Sequence, residues 1–400
     1  MTLPTDSGAD ASALARDASQ ALDAGETVRA EALFSQALAL RPDVEAWRLG
    51  RATARAFLAR YEEALADVET ALANDPGSLR LRLERGHALR AAGRASDSEA
   101  LNRAVLDEHA DQVEALANLG MLLRQEARHA EAVQALERAA ALRPADNEVL
   151  TALGITRLHA GDPAGATRDL DQAMAANPWN RNTLAHRYSA ACAMGDFAAA
   201  SRLLPMEGTV AVYDDLLSAA EAQGLLQVVE NHPSLVWERT GNTTRGGAHT
   251  GNLLDEPHPR VAALAARLDA VLGQYLAALR KDPGHPYLAW RPDRWRLEIW
   301  SVVLKSGGYQ EPHIHPDGWV SGVCYLAVPE EIDTARDAAG WLEIGRPPVA
   351  HRPASGLPVR TVQPRPGRLV LFPSSAWHRT LPFHSDRQRV CVAFDMRPMA

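Results

Sequence analysis

Histidines spaced for metal binding lie near the end of the chain, in the segment Pro312-His313-Ile314-His315-Pro316-Asp317. Side chains at positions i and i+2 of a strand point to the same side, so His313 and His315 would converge on one ion. A third histidine, His378, follows another strand-like run further along the chain. Imidazoles and carboxylates are common ligands of iron, and sites that activate oxygen leave positions open for substrate. The sequence therefore predicts a metal centre that includes His378.

The sequence leaves open which residues are the first two ligands of this metal centre. His313 with His315 is one pair, and His315 with Asp317 is a second pair of the same spacing. A carboxylate would offset the charge of a ferrous ion, which favours Asp317. A strand is expected to begin near Trp319, however, and Asp-Gly is a good turn pair, so Asp317 also has a purely structural explanation.

The region around these residues has the pattern of a β-rich domain. From residue 295 onward, short apolar runs bounded by Gly and Pro predict the strands of a sandwich or jelly roll. Residues 258–280 predict an amphipathic helix that covers one face of the sheet. The Gly- and Thr-rich stretch 240–251 predicts a loop with an embedded strand. The strand candidates are residues 297–304, 319–328, 340–344, 368–372 and 389–394.

Upstream of this region, the sequence repeats itself with a period of 34 residues. Each unit fits two helices joined by a turn, because small residues allow close helix packing and proline ends a helix. One such hairpin cannot bury its apolar face alone, so the units must stack. The columns that share the period are Pro42, Pro76, Ala110, Pro144 and Pro178; Gly25, Ala59, Gly93, Ala127, Gly161 and Gly195; Ala30, Ala64, Ser98, Ala132, Ala166 and Ala200; and Ala52, Gly86, Gly120 and Gly154.

This period and its small-residue columns resemble the tetratricopeptide repeat. The resemblance implies about five repeats in residues 10–179 and a partial one to residue 205, after a disordered N-terminus of residues 1–9. Residues 206–230 are expected to form a connecting helix and linker. Arrays of this kind present a concave binding surface, so we expect a protein or peptide partner.

Composition limits the partners and the compartment. A formal net charge of −8 argues against broad binding to nucleic acid or anionic membranes, which requires clustered positive charge. No stretch reaches the roughly 18 uncharged apolar residues of a membrane span. Cys192, Cys324 and Cys391 form no CxxC motif, which argues against a disulfide framework or a zinc ribbon. The N-terminus lacks signal-peptide features, so a cytoplasmic location is expected.

Three blocks within residues 230–400 resemble the double-stranded β-helix of the iron(II)- and 2-oxoglutarate-dependent oxygenases, and in particular one bacterial group of them. His313-Ile314-His315-Pro316 with Ser321-Gly322-Val323-Cys324-Tyr325 is similar to that group's His-x-His-Pro and Ser-Gly-Val-x-Tyr. Pro366-Gly367-Arg368-Leu369-Val370-Leu371-Phe372-Pro373-Ser374, followed by His378, is similar to its Pro-Gly-x-Leu-x-Leu-Phe-Pro-Ser…His. The stretch 244–253 is the third block. The three blocks in this order indicate the group more specifically than any one block does alone.

The resemblance implies an Fe(II) centre that uses 2-oxoglutarate and dioxygen to hydroxylate a C–H bond, with succinate and carbon dioxide as co-products. It favours His313 and His315 over the pair with Asp317, because the group keeps His-x-His-Pro. His378 is the distal ligand in both sets.

The resemblance also implies that an arginine after the distal histidine binds the far carboxylate of 2-oxoglutarate. A guanidinium suits this role because it can donate two parallel hydrogen bonds to a carboxylate. Arg389 is the preferred candidate because apolar residues follow it in strand alternation. Arg387, two residues earlier on the same face, is the alternative.

The remaining histidines and aromatic residues of this region have weaker signals. His351 and His384 are interpreted as surface or loop residues, and His249 also as a candidate contact to the substrate. Trp319 and Trp377 are interpreted as core or pocket wall.

The sequence thus predicts a multi-domain protein, with an all-α tetratricopeptide-repeat solenoid at residues 10–205 and a jelly-roll domain with flanking helices at residues 231–400. We expect a 2-oxoglutarate-dependent dioxygenase that hydroxylates a protein or peptide recruited by the repeats. One alternative is a non-catalytic repeat scaffold with a metal-stabilised jelly roll. Another is a cupin-type metal dioxygenase that does not use 2-oxoglutarate.

Overall fold

The computed structural model describes residues 7–238, 243–334, 337–348, 351 and 356–399. Residues 1–6, most of the segment predicted to be disordered, and residues 240–242 of the Gly- and Thr-rich stretch lie outside the described residues. The chain forms two compact units, residues 1–156 and residues 157–400. The sequence places the end of the repeats near residue 205, and the last repeat helices before it pack into the same core as the sheet.

Helices of 13 or 14 residues alternate with short turns from residue 27 to residue 193, as the repeat predicts. The helices of the repeat region are α1 (Ser7–Asp23), α2 (Thr27–Leu40), α3 (Glu45–Phe57), α4 (Tyr61–Asn74), α5 (Leu79–Ala91), α6 (Ala95–Glu108), α7 (Val113–Gln125), α8 (His129–Leu142), α9 (Asn147–His159), α10 (Pro163–Ala176), α11 (Arg181–Ala193) and α12 (Phe197–Leu203).

The columns of small residues have separate physical causes. A Cβ atom on Gly120 would lie 2.5 Å from Cγ of Leu136, so this position requires glycine for close packing of α7 on α8. The turn between the paired helices instead requires a left-handed backbone. Glycine fills it in several units, but Ala59 and Ala127 adopt φ values of 57° and 58° there. Alanine in this conformation is strained, because its Cβ approaches the following carbonyl oxygen.

We therefore expect Ala127→Gly to stabilise the repeats. Relief of the left-handed strain outweighs the extra backbone entropy that glycine loses on folding, for a net gain of about 0.5–1 kcal/mol. The matched control is Ala132→Gly, a buried position in α8 where glycine should cost about 1 kcal/mol or more. Urea unfolding followed by helical circular dichroism measures both, and a lower midpoint for Ala127→Gly would contradict the interpretation.

Residues 206–400 contain a large antiparallel sheet and the helices that flank it. The helices are α13 (Met206–Thr209), α14 (Ala219–Glu230), α15 (Pro259–Ala278) and α16 (Glu330–Asp333). The strands are β1 (Ala211–Tyr213), β2 (Val236–Trp237), β3 (Thr244–His249), β4 (Trp295–His313), β5 (Val320–Ala327), β6 (Leu342–Ile344), β7 (Arg360–Val362), β8 (Leu369–Pro373), β9 (His378–Thr380) and β10 (Arg389–Pro398).

The sheet has the strand order β1-β8-β5-β10-β4-β9-β6-β7, with β3 joined to β4 and β2 to β3. Its long central strands and short flanking strands curl into the expected jelly roll. β1 pairs with β8 through Ala211 and Leu371, so the sheet starts upstream of the expected domain start at residue 231. The segment predicted as a linker thus contributes a strand as well as α14.

Alternation along the strands divides the sheet into two faces. Val390, Val392 and Phe394 of β10 pack with α14 and α15 in one apolar core. Cys391, next to them in sequence, joins a second core on the opposite face, to which α11 and α12 contribute Ala185 and Ala200. This second face also bears the polar residues that form the candidate site.

The helix α15 matches the amphipathic helix predicted at residues 258–280. By length and composition alone it could cross a membrane, although the sequence was expected to contain no such stretch. Its apolar side, which includes Leu264, Leu268 and Leu272, is buried in the core under the sheet.

Candidate metal centre

The structure brings His313, His315 and His378 together at one end of the jelly roll. One nitrogen from each lies within 4.8 Å of the others, and the ring centroids are 4.2–5.2 Å apart. His313 ends β4 and lies directly opposite His378, the first residue of β9. The backbone N–H of His315 donates to the carbonyl of Ser374, which fixes the turn after β4. A single ion could therefore contact all three rings.

Each of these histidines has one ring nitrogen engaged in a hydrogen bond within the protein. Nδ1 of His313 lies 2.8 Å from the carbonyl oxygen of Glu311, and Nδ1 of His378 lies 3.0 Å from that of Ala376. A carbonyl only accepts, so Nδ1 carries the proton and the lone pair is on Nε2. The arrangement orients the two Nε2 atoms as ligands, which is how metal-binding histidines are commonly held.

The electrostatic environment keeps the rings of His313 and His378 neutral. Burial lowers the pKa of His313 to about 3, with a smaller contribution from His315. Burial also holds the pKa of His378 well below its usual range, assisted by His313 and His315. Only a neutral imidazole has a lone pair for a metal, so the buried rings are in the ligand form at neutral pH.

A carboxylate that the sequence reasoning missed lies behind His315. Oδ1 of Asp395 is 2.7 Å from Nδ1 of His315, and the Asp395 side chain is buried. Ser321 donates to the same carboxylate oxygen at 2.6 Å and lies 2.8 Å from Ser374 Oγ. Asp395 thus fixes the ring and makes its Nε2 a stronger donor. The available signal in the sequence was that Asp395 lies an even number of residues after Arg389, so that both side chains are on one face of the strand.

Asp317 is placed differently from the three histidines. Its side chain is 63% exposed and lies 3.6 Å from Arg397. It is not part of the cluster of ligand atoms. The turn interpretation of Asp317-Gly318 agrees with the backbone bond from the Gly318 N–H to the carbonyl of His315. Of the two open ligand sets, the geometry favours His313, His315 and His378.

We expect Asp395→Asn to weaken metal binding about 10- to 100-fold, the usual effect of losing a carboxylate behind a metal-bound histidine. Asp317→Asn, which removes the same charge from an exposed position, should leave the affinity unchanged. Isothermal titration of the two variants with Fe(II) under anaerobic conditions compares them directly. A larger loss with Asp317→Asn would restore the ligand set His315, Asp317 and His378.

A cavity of about 290 Å³ connects the three histidines to Arg389. Arg389, Cys391 and Ala393 alternate along β10 and line its floor. The Arg389 side chain is 1% exposed, and its Nε has no hydrogen-bond partner in the described part of the chain. Arg387 is exposed instead. Because a buried cation without a counter-ion is costly, this site fits an anionic ligand at Arg389.

Tyr325 is a further residue that the sequence reasoning did not single out as functional. Its ring lies under the Arg389 guanidinium, 4.9 Å from centroid to Cζ. The Tyr325 hydroxyl is buried and has no hydrogen-bond partner among the described residues. Burial raises its pKa, so it remains a hydrogen-bond donor at neutral pH. Tyr325 is four residues after Ser321 on one strand face, which was the available signal.

The last repeat hairpin helps to position His378. Trp377 Nε1 donates to the carbonyl of Ala185 in α11 at 3.1 Å, and the Trp377 side chain is 6% exposed. Tyr188, one turn further along α11, donates to the carbonyl of Gly345 at 2.7 Å, where β6 ends beside β9. These buried bonds join the helices of residues 181–203 to the strands that hold the ligands.

The other histidines have separate surroundings. His249 lines the cavity of the three histidines, next to Thr244. His384 is exposed, as expected. His351 corrects the prediction, because it is 2% exposed and its ring lies 4.6 Å from that of His159. Trp319 is core, stacked on Tyr287 at 4.3 Å.

The arrangement fits an Fe(II) ion with a small dicarboxylate beside it. Imidazoles suit iron, nickel, copper or zinc, so the ligand types alone do not select one metal. The buried Arg389 guanidinium in the same cavity adds a place for one carboxylate of a second ligand. The combination therefore points to a metal with an anionic co-substrate rather than to a structural ion alone.

Family comparisons agree with this class of protein. Residues 298–395 match the family described as "Putative 2OG-Fe(II) oxygenase", and residues 113–146 match the tetratricopeptide repeat. These matches confirm the families expected for the two segments, and the helical array with the C-terminal curled sheet confirms the expected fold class. No curated protein matches the chain.

Several solved structures are similar to parts of the chain. A Pseudomonas putida prolyl-4-hydroxylase is 19% identical, with 48% of this chain and 94% of that chain covered and a TM-score of 0.34. HygX from Streptomyces hygroscopicus, solved with nickel and 2-oxoglutarate, is 16% identical, with coverage of 49% and 85% and a TM-score of 0.35. The type IV pilus biogenesis factor PilW is 21% identical, with coverage of 48% and 90% and a TM-score of 0.42.

Proposed function

We propose that the protein is an Fe(II)- and 2-oxoglutarate-dependent oxygenase that hydroxylates a protein or peptide substrate recruited by its repeats. The observation that carries this proposal is the single cavity that contains three oriented histidines and a buried arginine that forms no ion pair with any described residue. The three free, buried cysteines are compatible with the reducing cytoplasm, where we place the protein.

The residues of the chain have distinct tasks in this reaction. His313, His315 and His378 hold the metal through Nε2, and Asp395 orients His315. Arg389 and the Tyr325 hydroxyl receive the carboxylate of 2-oxoglutarate that is remote from the metal. When bound, iron with 2-oxoglutarate and dioxygen supplies the oxidation: one oxygen atom enters the substrate C–H bond, and the other enters succinate as carbon dioxide leaves.

Space for a substrate exists on the other side of His315. A second, more open cavity of about 340 Å³ shares His249, Trp300 and His315 with the first. The inner cavity would hold the co-substrate and the outer one a side chain of the substrate. Repeats that bind proteins make a peptide the substrate class we favour, since the array would raise its local concentration.

Succinate formation tests the proposal. Purified protein with Fe(II), ascorbate, 2-oxoglutarate and oxygen should release succinate slowly even without substrate, because such sites can oxidise the co-substrate alone. Incubation with peptide libraries followed by mass spectrometry should then find products heavier by one oxygen atom, with ¹⁸O₂ as the source of the label.

The two alternatives give different results in this assay. A non-catalytic scaffold would release no succinate from the iron-loaded, folded protein. A metal dioxygenase that does not use 2-oxoglutarate would consume oxygen equally with and without the co-substrate. Either result would contradict the proposal.

A further inference from the structure

The outer cavity beside His315 has more carboxylates than cations in its wall. Among the described residues, its charged lining groups other than histidines are Glu298, Asp317 and Asp395 against Arg397. With a volume of about 340 Å³ the cavity suits one side chain of a substrate, since pockets for whole small-molecule ligands start at about 300 Å³. The charge of this wall therefore bears on which side chain can enter.

Two of these carboxylates lie side by side on neighbouring strands. Glu298 of β4 is directly opposite Asp395 of β10, and both line the outer cavity. Like charges directly opposite each other destabilise a sheet. Burial raises the pKa of Glu298, and the charge of Asp395 raises it further against the opposing effect of Arg397. A cation that entered the cavity would relieve this repulsion.

Asp395 also has an oxygen atom left for a ligand. Its Oδ1 is engaged by His315 and Ser321, whereas its Oδ2 accepts no hydrogen bond from any residue that the structure describes. Asp395 is only 4% exposed and lines the outer cavity. Because a buried carboxylate oxygen without a donor is costly, a hydrogen-bond donor in the cavity would be stabilised there.

The one guanidinium in the cavity wall, within the described part of the chain, is shared between two carboxylates. Nη2 of Arg397 lies 2.6 Å from Oε2 of Glu298 and 3.6 Å from Oδ2 of Asp317. Its single charge therefore cannot offset both of these carboxylates and Asp395 as well. Trp300 and Ile314 add an apolar part to the same wall.

We propose that the outer cavity selects a basic side chain, the guanidinium of arginine or the ammonium of lysine, as the part of the substrate that is hydroxylated. These side chains combine a cation with an apolar stem, which matches the carboxylates and the Trp300 face of the cavity. The inference rests on the proposed function and names its substrate class: one oxygen atom of dioxygen enters a C–H bond of the stem, and the other enters succinate as carbon dioxide leaves.

Matched peptides test the charge requirement. Peptides of the form Gly-Ala-X-Ala-Gly are titrated by calorimetry into protein loaded with Fe(II) and 2-oxoglutarate under anaerobic conditions, so that no turnover occurs. X is arginine or its neutral analogue citrulline in one pair, and lysine or norleucine in the other. We expect each basic peptide to bind about tenfold or more tightly than its neutral analogue, because its cation forms charge-assisted hydrogen bonds. Glutamate at X should bind worst.

Variants of the cavity wall should change this preference in opposite directions. Glu298→Gln/Asp317→Asn should weaken the basic peptides about tenfold or more and retain iron and 2-oxoglutarate. Arg397→Gln should strengthen them, because it removes the cation that competes with the ligand. The matched control, Glu330→Gln/Asp386→Asn, removes the same two charges from exposed positions of the same domain and should bind as the parent does.

The inference and the proposed function can fail separately. Equal affinity for basic and neutral peptides, no binding of either basic peptide, or a preference that survives Glu298→Gln/Asp317→Asn would overturn the inference. An equal loss in the control variant would do the same, because it would indicate general attraction to an acidic protein. Succinate release in oxygen is measured on the same preparations. Parent protein that releases none contradicts the proposed oxygenase, whereas release without a preference for basic peptides contradicts only the choice of side chain.

Discussion

Replacing Arg389 with methionine should abolish the binding of 2-oxoglutarate and leave metal binding intact. The guanidinium is buried in the cavity of the three histidines and is placed to donate two charge-assisted hydrogen bonds to a carboxylate. The loss of these hydrogen bonds should weaken the binding of 2-oxoglutarate about 100- to 1000-fold or more, since each such bond contributes about 1.5–3 kcal/mol. Titration of the iron-loaded variant with 2-oxoglutarate measures this loss.

The same variant should be more stable than the parent when no ligand is present. Arg389 is a buried cation that forms no ion pair with any described residue, and methionine fills a similar volume without the cost of burying a charge. The matched control is Arg387→Met, an exposed position two residues earlier, which should change neither affinity nor stability. If Arg389→Met bound 2-oxoglutarate normally, or lost iron instead, our assignment of this residue would be wrong.

Replacing His378 with alanine should remove the metal. His378 is the distal ligand in both sets that the sequence left open, and its Nε2 faces the other two rings. The loss of a direct ligand should exceed the about 10- to 100-fold expected for Asp395→Asn. Anaerobic titration with Fe(II), followed by metal analysis after desalting, measures the retained iron.

Comparison with other histidine variants makes this result specific. His384→Ala removes an exposed imidazole from the same domain and should retain iron fully. His313→Ala and His315→Ala should both lose it, whereas the set with Asp317 predicts that His313→Ala retains it. Full retention of iron by His378→Ala would mean that the three histidines are not the metal site.

The sequence predicted those parts of the molecule that depend on local spacing. The period of 34 residues located the paired helices, because each column of small residues meets one requirement of helix packing or of the turn, as at Gly120 and Ala127. Alternation along β10 likewise distinguished Arg389, which faces the cavity, from Val390, which faces the core. Motif blocks were enough to find all three histidines.

What the sequence did not reveal depends on contacts between distant segments. The only local signal of Asp395 is its even spacing from Arg389, and its importance appears when pairing of β10 with β4 and β5 places it behind His315. The exposed position of Asp317 follows from the turn after β4, which spacing alone left ambiguous. Residues 211–213 are too short a run to be recognised as a strand, and pairing with β8 is what makes them one.

Anaerobic titration of the purified protein with Fe(II) and then 2-oxoglutarate tests the central claim most directly. Chelation of iron by a 2-keto acid gives a weak visible charge-transfer absorption, so the reading does not depend on knowing the substrate. We predict that the band appears in the parent protein and in Asp317→Asn, and that it is absent in His378→Ala and Arg389→Met at the same concentrations. Folded, iron-loaded parent protein that shows no band with saturating 2-oxoglutarate would contradict the account.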